Sequence, residues 1–137
     1  MATRRRAREV VLQMLFQFEA NQDPANQVVA LYRSNFGEGP LPDDFSIALF
    51  CSVAGAVDEV DQIIVSASDN WRLERMSRVD RNILRIGVWE IANSQDTPVR
   101  VVINEAVELA KRFGAEDSAS FVNGVLDRIA KDRQKLN

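Results

Sequence analysis

Apolar residues recur along this chain at helical spacing, and nowhere do apolar and polar positions alternate for long enough to make a strand. Ala7, Val10, Val11, Met14, Leu15 and Phe18 form one stripe, which predicts a first helix over residues 4–20. Thr3 stands at its N-cap position. The turn Asn21-Gln22-Asp23-Pro24 ends that helix, with Asp23 and Pro24 as N-cap and first helical position of a short second helix running toward Phe36. Gly37-Glu38-Gly39-Pro40-Leu41-Pro42 is the strongest break, because two glycines and two prolines are not carried inside a helix. Asp43 or Asp44 caps a long third helix over residues 44–69. Its Phe45, Leu49, Val53, Val57, Val60, Ile64 and Ala67 track one face, as expected of a central strut.

The fourth helix, residues 77–93, carries Val79, Ile83, Leu84, Ile86, Val88 and Ile91, too widely spread for one stripe, so it is expected to be covered on several sides. Thr97-Pro98 opens a fifth with Val99, Val102, Ile103, Ala106, Val107 and Ala110 inward, closed at Phe113-Gly114 by a glycine cap. Asp117 or Ser118 caps the sixth, whose Phe121, Val122, Val125, Leu126 and Ile129 form a buried stripe. The fold expected is all-α, and 137 residues at 46% hydrophobic content suit one domain. No apolar run approaches the roughly 18 residues that span a membrane, which fits a cytoplasmic protein.

Charge changes the picture at one end. Seventeen basic and 20 acidic residues give a net charge of -3, yet Arg4, Arg5, Arg6 and Arg8 lie within the first eight residues with no acid among them. Setting those four aside leaves 13 basic against 20 acidic residues, a body at -7. Such an arm is the electrostatic footprint of a phosphate-binding segment, and its arginines occupy the first turns of a helix, where cations oppose the macrodipole. The other reading of the same arm is a solvated chain end. A secretory leader does not fit, since Gln13, Gln17 and Glu19 interrupt the apolar run. Four contacted phosphates would give log affinity against log salt a slope of about -3. A second basic row, Arg72, Arg75, Arg78, Arg81 and Arg85, is interleaved with Glu74 and Asp80. It reads as a solvated face or as a protein-partner surface, and arginine's bidentate contacts favour the latter.

The chemistry inventory excludes much. Without histidine the most frequent general base, the Ser-His and Cys-His pairs and most zinc sites are removed together. Cys51 is alone in an apolar stretch, so no disulfide framework or cysteine metal cluster arises, and it reads as a small buried hydrophobe. Gly37-Glu38-Gly39 lacks the lysine and hydroxyl of a phosphate loop. The carboxylate pairs Asp43-Asp44, Glu105 with Glu108, and Glu116-Asp117 each lie where a cap or a solvated face explains them. Neither an enzyme nor a cofactor is expected.

Three blocks go further: Arg4-Arg5-Arg6-Ala7-Arg8-Glu9 with Gln13, Val79-Asp80-Arg81-Asn82-Ile83-Leu84-Arg85-Ile86, and Val102 through Gly114 followed by Phe121-Val122-Asn123-Gly124-Val125-Leu126-Asp127. In this order and spacing, over nearly the whole chain, the sequence resembles the NusB family of transcription antitermination factors. The resemblance implies six to seven helices in two small packed bundles, making one all-helical RNA-binding domain over residues 1–137 with an arginine-rich arm at 1–8. It implies no catalysis, and a partnership with the ribosomal protein NusE in binding boxA RNA of nascent ribosomal transcripts, within an RNA polymerase antitermination complex that resists termination. Carried over by position, RNA-binding residues are Arg4, Arg5, Arg6, Arg8, Asp117, Ser118 and Phe121, and partner-facing residues are Phe16 and Asp80, beside Arg81 of the second basic row. Phe16 departs from the family's frequent tyrosine, and Ser120 from a frequent basic residue. Asn104, Glu105, Asn123 and Gly124 are conspicuous in these blocks, and helix packing explains them as well as ligand contact does. Phe121 carries two readings, a base-stacking ring or part of the sixth helix's core stripe. The alternative function is a helical protein adaptor whose arm binds an acidic partner, and a surface that binds a partner equally suits a homodimer in the free state.

Overall fold

The computed structural model describes residues 3–34, 41–69, 72–94 and 96–136, with side chains up to residue 133. Seven α-helices and one 3-10 turn are found among them: α1 (Arg4–Asn21), α2 (Ala25–Arg33), α3 (Asp44–Gly55), α4 (Val57–Ala67), the 3-10 turn (Leu73–Arg75), α5 (Arg78–Asn93), α6 (Val99–Phe113) and α7 (Ser118–Leu136). Residues 37–40 of the expected break at 37–42, and the expected end of the second helix near Phe36, lie outside the described residues. The chain forms two compact units, residues 1–55 and 56–137.

In the first unit α1, α2 and α3 pack mutually. Ala7, Val10, Val11, Leu12, Met14 and Leu15 of α1 bury against Leu49, Phe50 and Val53 of α3, and Phe18 meets Phe50 edge-on with ring centroids 5.9 Å apart. Edge-to-face rings at this distance add about 0.5–1.5 kcal/mol to their burial. The Asp43 carboxylate accepts the Ser46 N–H and hydroxyl at 2.8 Å each and so caps α3. Cys51 is exposed rather than buried, because the inward positions of α3 are Ser46, Leu49, Phe50, Val53 and Ala54, and Cys51 falls off that stripe.

The expected strut over residues 44–69 is two helices. Ala56 at φ -116° leaves helical geometry, and its carbonyl accepts the Val60 N–H to start α4. Asp58 and Glu59 in the new first turn are what an N-terminus favours. In the second unit α5 contacts α4, α6 and α7, and Asn82 through Val88 are buried without interruption, as its broad apolar spread required. Pro24 and Pro98 precede α2 and α6 as N-caps rather than occupying the first helical position, their carbonyls accepting from Gln27 and Val28, and from Val101 and Val102. Gly114 sits at φ -95°, ψ -172°, so the close of α6 is not a left-handed glycine cap.

Candidate nucleic-acid interface

Thr3 Oγ1 accepts the Arg6 N–H at 3.1 Å, which fixes where α1 begins and how the arginine row turns. Rotation about the helix then divides that row. Arg4, Arg5 and Arg6 are exposed, whereas Arg8 is 3% exposed and shares the inward face with Val11, Leu12 and Leu15. The Arg4 guanidinium lies 3.8 Å from the centroid of Phe45, and that of Arg8 5.4 Å from the same ring. Cation–π contacts of this kind contribute about 0.5–1 kcal/mol in water and about 2 when desolvated. The row therefore carries a structural gain that spacing does not reveal, and Arg8 belongs to the packing of the first unit rather than to an open arm. Phe45, expected as plain core, is half-buried and serves as the platform for both cations. The two hydrogen bonds from Ser46, with a smaller contribution from the Arg4 charge, hold the Asp43 carboxyl below its usual range. Phe16 is half-buried on α1.

The second unit contributes the turn between α6 and α7. Ser118 is 1% exposed and its Oγ accepts the Ala115 N–H at 2.9 Å. Expected among the RNA contacts, its hydroxyl instead holds the turn from inside. A Cβ on Gly114 would stand 2.5 Å from Ser118 Oγ and 2.7 Å from the Ala110 carbonyl oxygen, so this glycine is required by close approach. The Asp117 carbonyl accepts the Phe121 N–H and the Ser120 hydroxyl, both at 3.1 Å, so Asp117 opens α7 through its backbone while its side chain is exposed. Phe121 is half-buried.

Asp117 and Phe121 line a cavity of about 220 Å³ together with Arg75, Ser77 and Asp80. Asp80 Oδ1 is buried without a hydrogen-bond donor among the described residues. An enclosed acceptor left unpaired costs about 1–3 kcal/mol, which a donor brought by a ligand or partner would recover. The second basic row divides as the first does. Arg81 donates to the carbonyls of Leu73 and Met76 at 3.1 and 3.2 Å, so the side chain expected to face a partner closes the 3-10 turn. Arg85 meets Asp61 through two 2.8 Å bonds and Asn82 Oδ1 at 3.0 Å, with side chains only 10% and 19% exposed for the ion pair. Arg72, Arg75 and Arg78 are exposed.

A family model described as the NusB family matches residues 5–131. The chain belongs to the NusB family. A transcription antitermination protein NusB from Sorangium cellulosum is 48% identical over 137 residues, covering 100% of this chain and 98% of that relative. Another from Myxococcus xanthus is 45% identical over 134 residues, covering 95% and 96%. Among solved structures, NusB from T. maritima superposes with a TM-score of 0.82 at 33% identity, covering 98% of this chain and 97% of the other. A complex of antitermination factors NusB and NusE with double-stranded RNA gives 0.77 at 23% identity over 94% and 96% of the chains, a likeness of fold. The all-α architecture of two small bundles is thus a NusB-family fold. Residues that sequence reasoning missed within it are Phe45, Asp69 and Arg128. Asp69 adopts φ 53° just past the end of α4 and pairs with Arg128 of α7. Each depends on a side chain far off in the chain, Phe45 on Arg4 and Asp69 on Arg128, so local spacing carries no signal for them.

Proposed function

We propose that this protein acts as an antitermination factor that binds boxA-type single-stranded RNA of nascent ribosomal transcripts together with NusE, supporting a termination-resistant RNA polymerase complex in the cytoplasm. The observation that carries the reading is the exposed triple Arg4, Arg5 and Arg6 on the first turn of a helix whose burial is accomplished by other residues, in a chain that is otherwise strongly acidic. Membership of a family whose relatives are called transcription antitermination proteins supports it. Three phosphate contacts give a slope of log affinity against log salt of about -2, shallower than the four-arginine figure because Arg8 is withdrawn.

The work is binding without chemistry. In this reading the arginines supply the salt-dependent term, Phe121 stacks an unpaired base on its ring, and Asp117 accepts from a base edge. Ser118 acts behind them by holding the turn. Phe16 and Asp80 face the protein partner, each from its own unit, and Arg81 holds the 3-10 turn that precedes Asp80. The arm and the turn act as parts of one RNA-binding domain, and the free protein is a candidate homodimer.

Fluorescence anisotropy of labelled boxA-type RNA against a scrambled strand of equal length, with and without NusE, tests this. Preference for the boxA-type strand, strengthened by NusE, is expected. Equal binding of both strands with NusE present sinks the reading and favours the helical adaptor, whose arm meets an acidic protein.

A further inference from the structure

Phe121 walls two cavities. Beyond the one lined by Asp80 and Asp117, it also borders a second, of about 290 Å³, whose lining includes Ser68, Asp69, Gly124 and Arg128. Gly124 is the informative residue. It sits in the interior of the 19-residue α7, where glycine weakens a helix relative to alanine. A Cβ built on it meets nothing within 4 Å, so helix packing gives no reason for its absence, in contrast to Gly114. Packing was one of two explanations the sequence left open for this glycine, and the geometry removes it. A locally unfavourable residue without a packing return marks a place where something approaches the backbone.

We infer that this second cavity is a further nucleotide site, taking the residue of single-stranded RNA adjacent to the one stacked on Phe121. The inference rests on the reading that the α6–α7 turn receives RNA. Three features on one surface fit a nucleotide. The bare backbone at Gly124 lets a flat base or ribose lie against the helix. Phe121 lines both cavities, so the second lies beside the first on the same side chain, within reach of a neighbouring nucleotide. The Arg128 guanidinium, about half exposed and held toward the cavity rim by Asp69, supplies a cation for the intervening phosphate. Exchange of the Asp69 carboxylate for a phosphate oxygen keeps the guanidinium charge-paired throughout.

The test titrates end-labelled boxA-type RNA against the full chain with NusE present, for wild type and for Gly124→Ala, Gly124→Gln, Arg128→Gln and Phe121→Ala, alongside melting temperatures and separate NusE binding. Gly124→Ala is expected to raise the melting temperature. Gly124→Gln, which fills the cavity, should melt no lower than wild type yet lose about tenfold in RNA affinity, the order of one base contact. Arg128→Gln should lower the magnitude of the salt slope by about 0.7. A fall in melting temperature for Gly124→Ala returns the glycine to packing and overturns the inference. Wild-type RNA affinity in Gly124→Gln, with Phe121→Ala impaired, overturns the second site alone and leaves the first. If neither variant affects RNA binding, the turn does not receive RNA and both readings fall. Loss of NusE with RNA binding retained assigns the cavity to the protein partner and equally overturns the nucleotide site.

Discussion

Arg8→Ala separates the packing role of an arginine from its charge, with Arg6→Ala as its counterpart two residues away. Arg8 is 3% exposed, so truncation removes two methylenes of stem from a dry environment, about 0.8 kcal/mol each, or about 1.6 kcal/mol. Its guanidinium at 5.4 Å from the Phe45 centroid adds about 0.5–2 kcal/mol. The sum is about 2–4 kcal/mol, and at roughly 3 °C per kcal/mol for a chain of this size the melting temperature should fall by about 6–12 °C. Arg6 is exposed in the first turn of α1, and its removal relieves an unfavourable helix-dipole term of about 0.3–1 kcal/mol, so that variant should melt at or slightly above wild type. RNA titrations at several salt concentrations complete the comparison: Arg6→Ala should reduce the salt slope by about 0.7, and Arg8→Ala should leave it unchanged under conditions where the protein remains folded. Equal melting temperatures for the two variants, together with a reduced slope for Arg8→Ala, would refute the division of the row into packed and phosphate-binding arginines.

Three other perturbations probe the same geometry. Asp61→Asn should lower stability by about 2–4 kcal/mol in chemical denaturation, since it leaves a largely buried guanidinium without its bidentate carboxylate, and the double change Asp61→Leu with Arg85→Met should recover most of that loss. Asp43→Ala removes the α3 cap at about 1 kcal/mol. Because the folded-state pKa of Asp43 is depressed, its contribution is present above the ordinary carboxylate range and is lost as pH falls through the lower folded value, so melting curves of wild type and variant should converge at acid pH. Gly114→Ala should destabilise by at least about 1 kcal/mol, by driving a methyl group into the Ala110 carbonyl and the Ser118 side chain, and unchanged stability would mean the turn yields freely.

The periodicity of apolar residues marked the helical segments, although it merged α3 and α4 into one, because burial in an all-α protein repeats every three to four residues and leaves its mark along each segment. What it missed were facts set by a distant neighbour or by a single dihedral. Ala56 breaks a helix in the middle of a continuous apolar stripe, and only the acids Asp58 and Glu59 hint at the new start. The arginine rows looked uniform because charge is legible in sequence and burial is not: Arg8 depends on Phe45, and Arg85 on Asp61, 24 residues earlier. Ser118 was misplaced for a related reason, since a serine at a helix start reads as exposed unless the glycine that admits it is seen to be its neighbour in space. Gly114 itself was legible as a helix end, though the reason was contact rather than handedness.

That contact between Gly114 and Ser118 bears on the energetics of recognition. The hydroxyl bonded to the Ala115 N–H, with the Asp117 carbonyl engaged by Phe121 and Ser120, leaves the segment from 114 to 118 already ordered before any ligand arrives. Freezing one residue of a flexible loop costs about 1–2 kcal/mol in conformational entropy, so a disordered turn of the same sequence would forfeit several kcal/mol at the moment of binding. In the proposed RNA-binding role a small surface with few contacts would gain its affinity by arriving in one conformation, and the missing methyl group at Gly114 is what makes that conformation available.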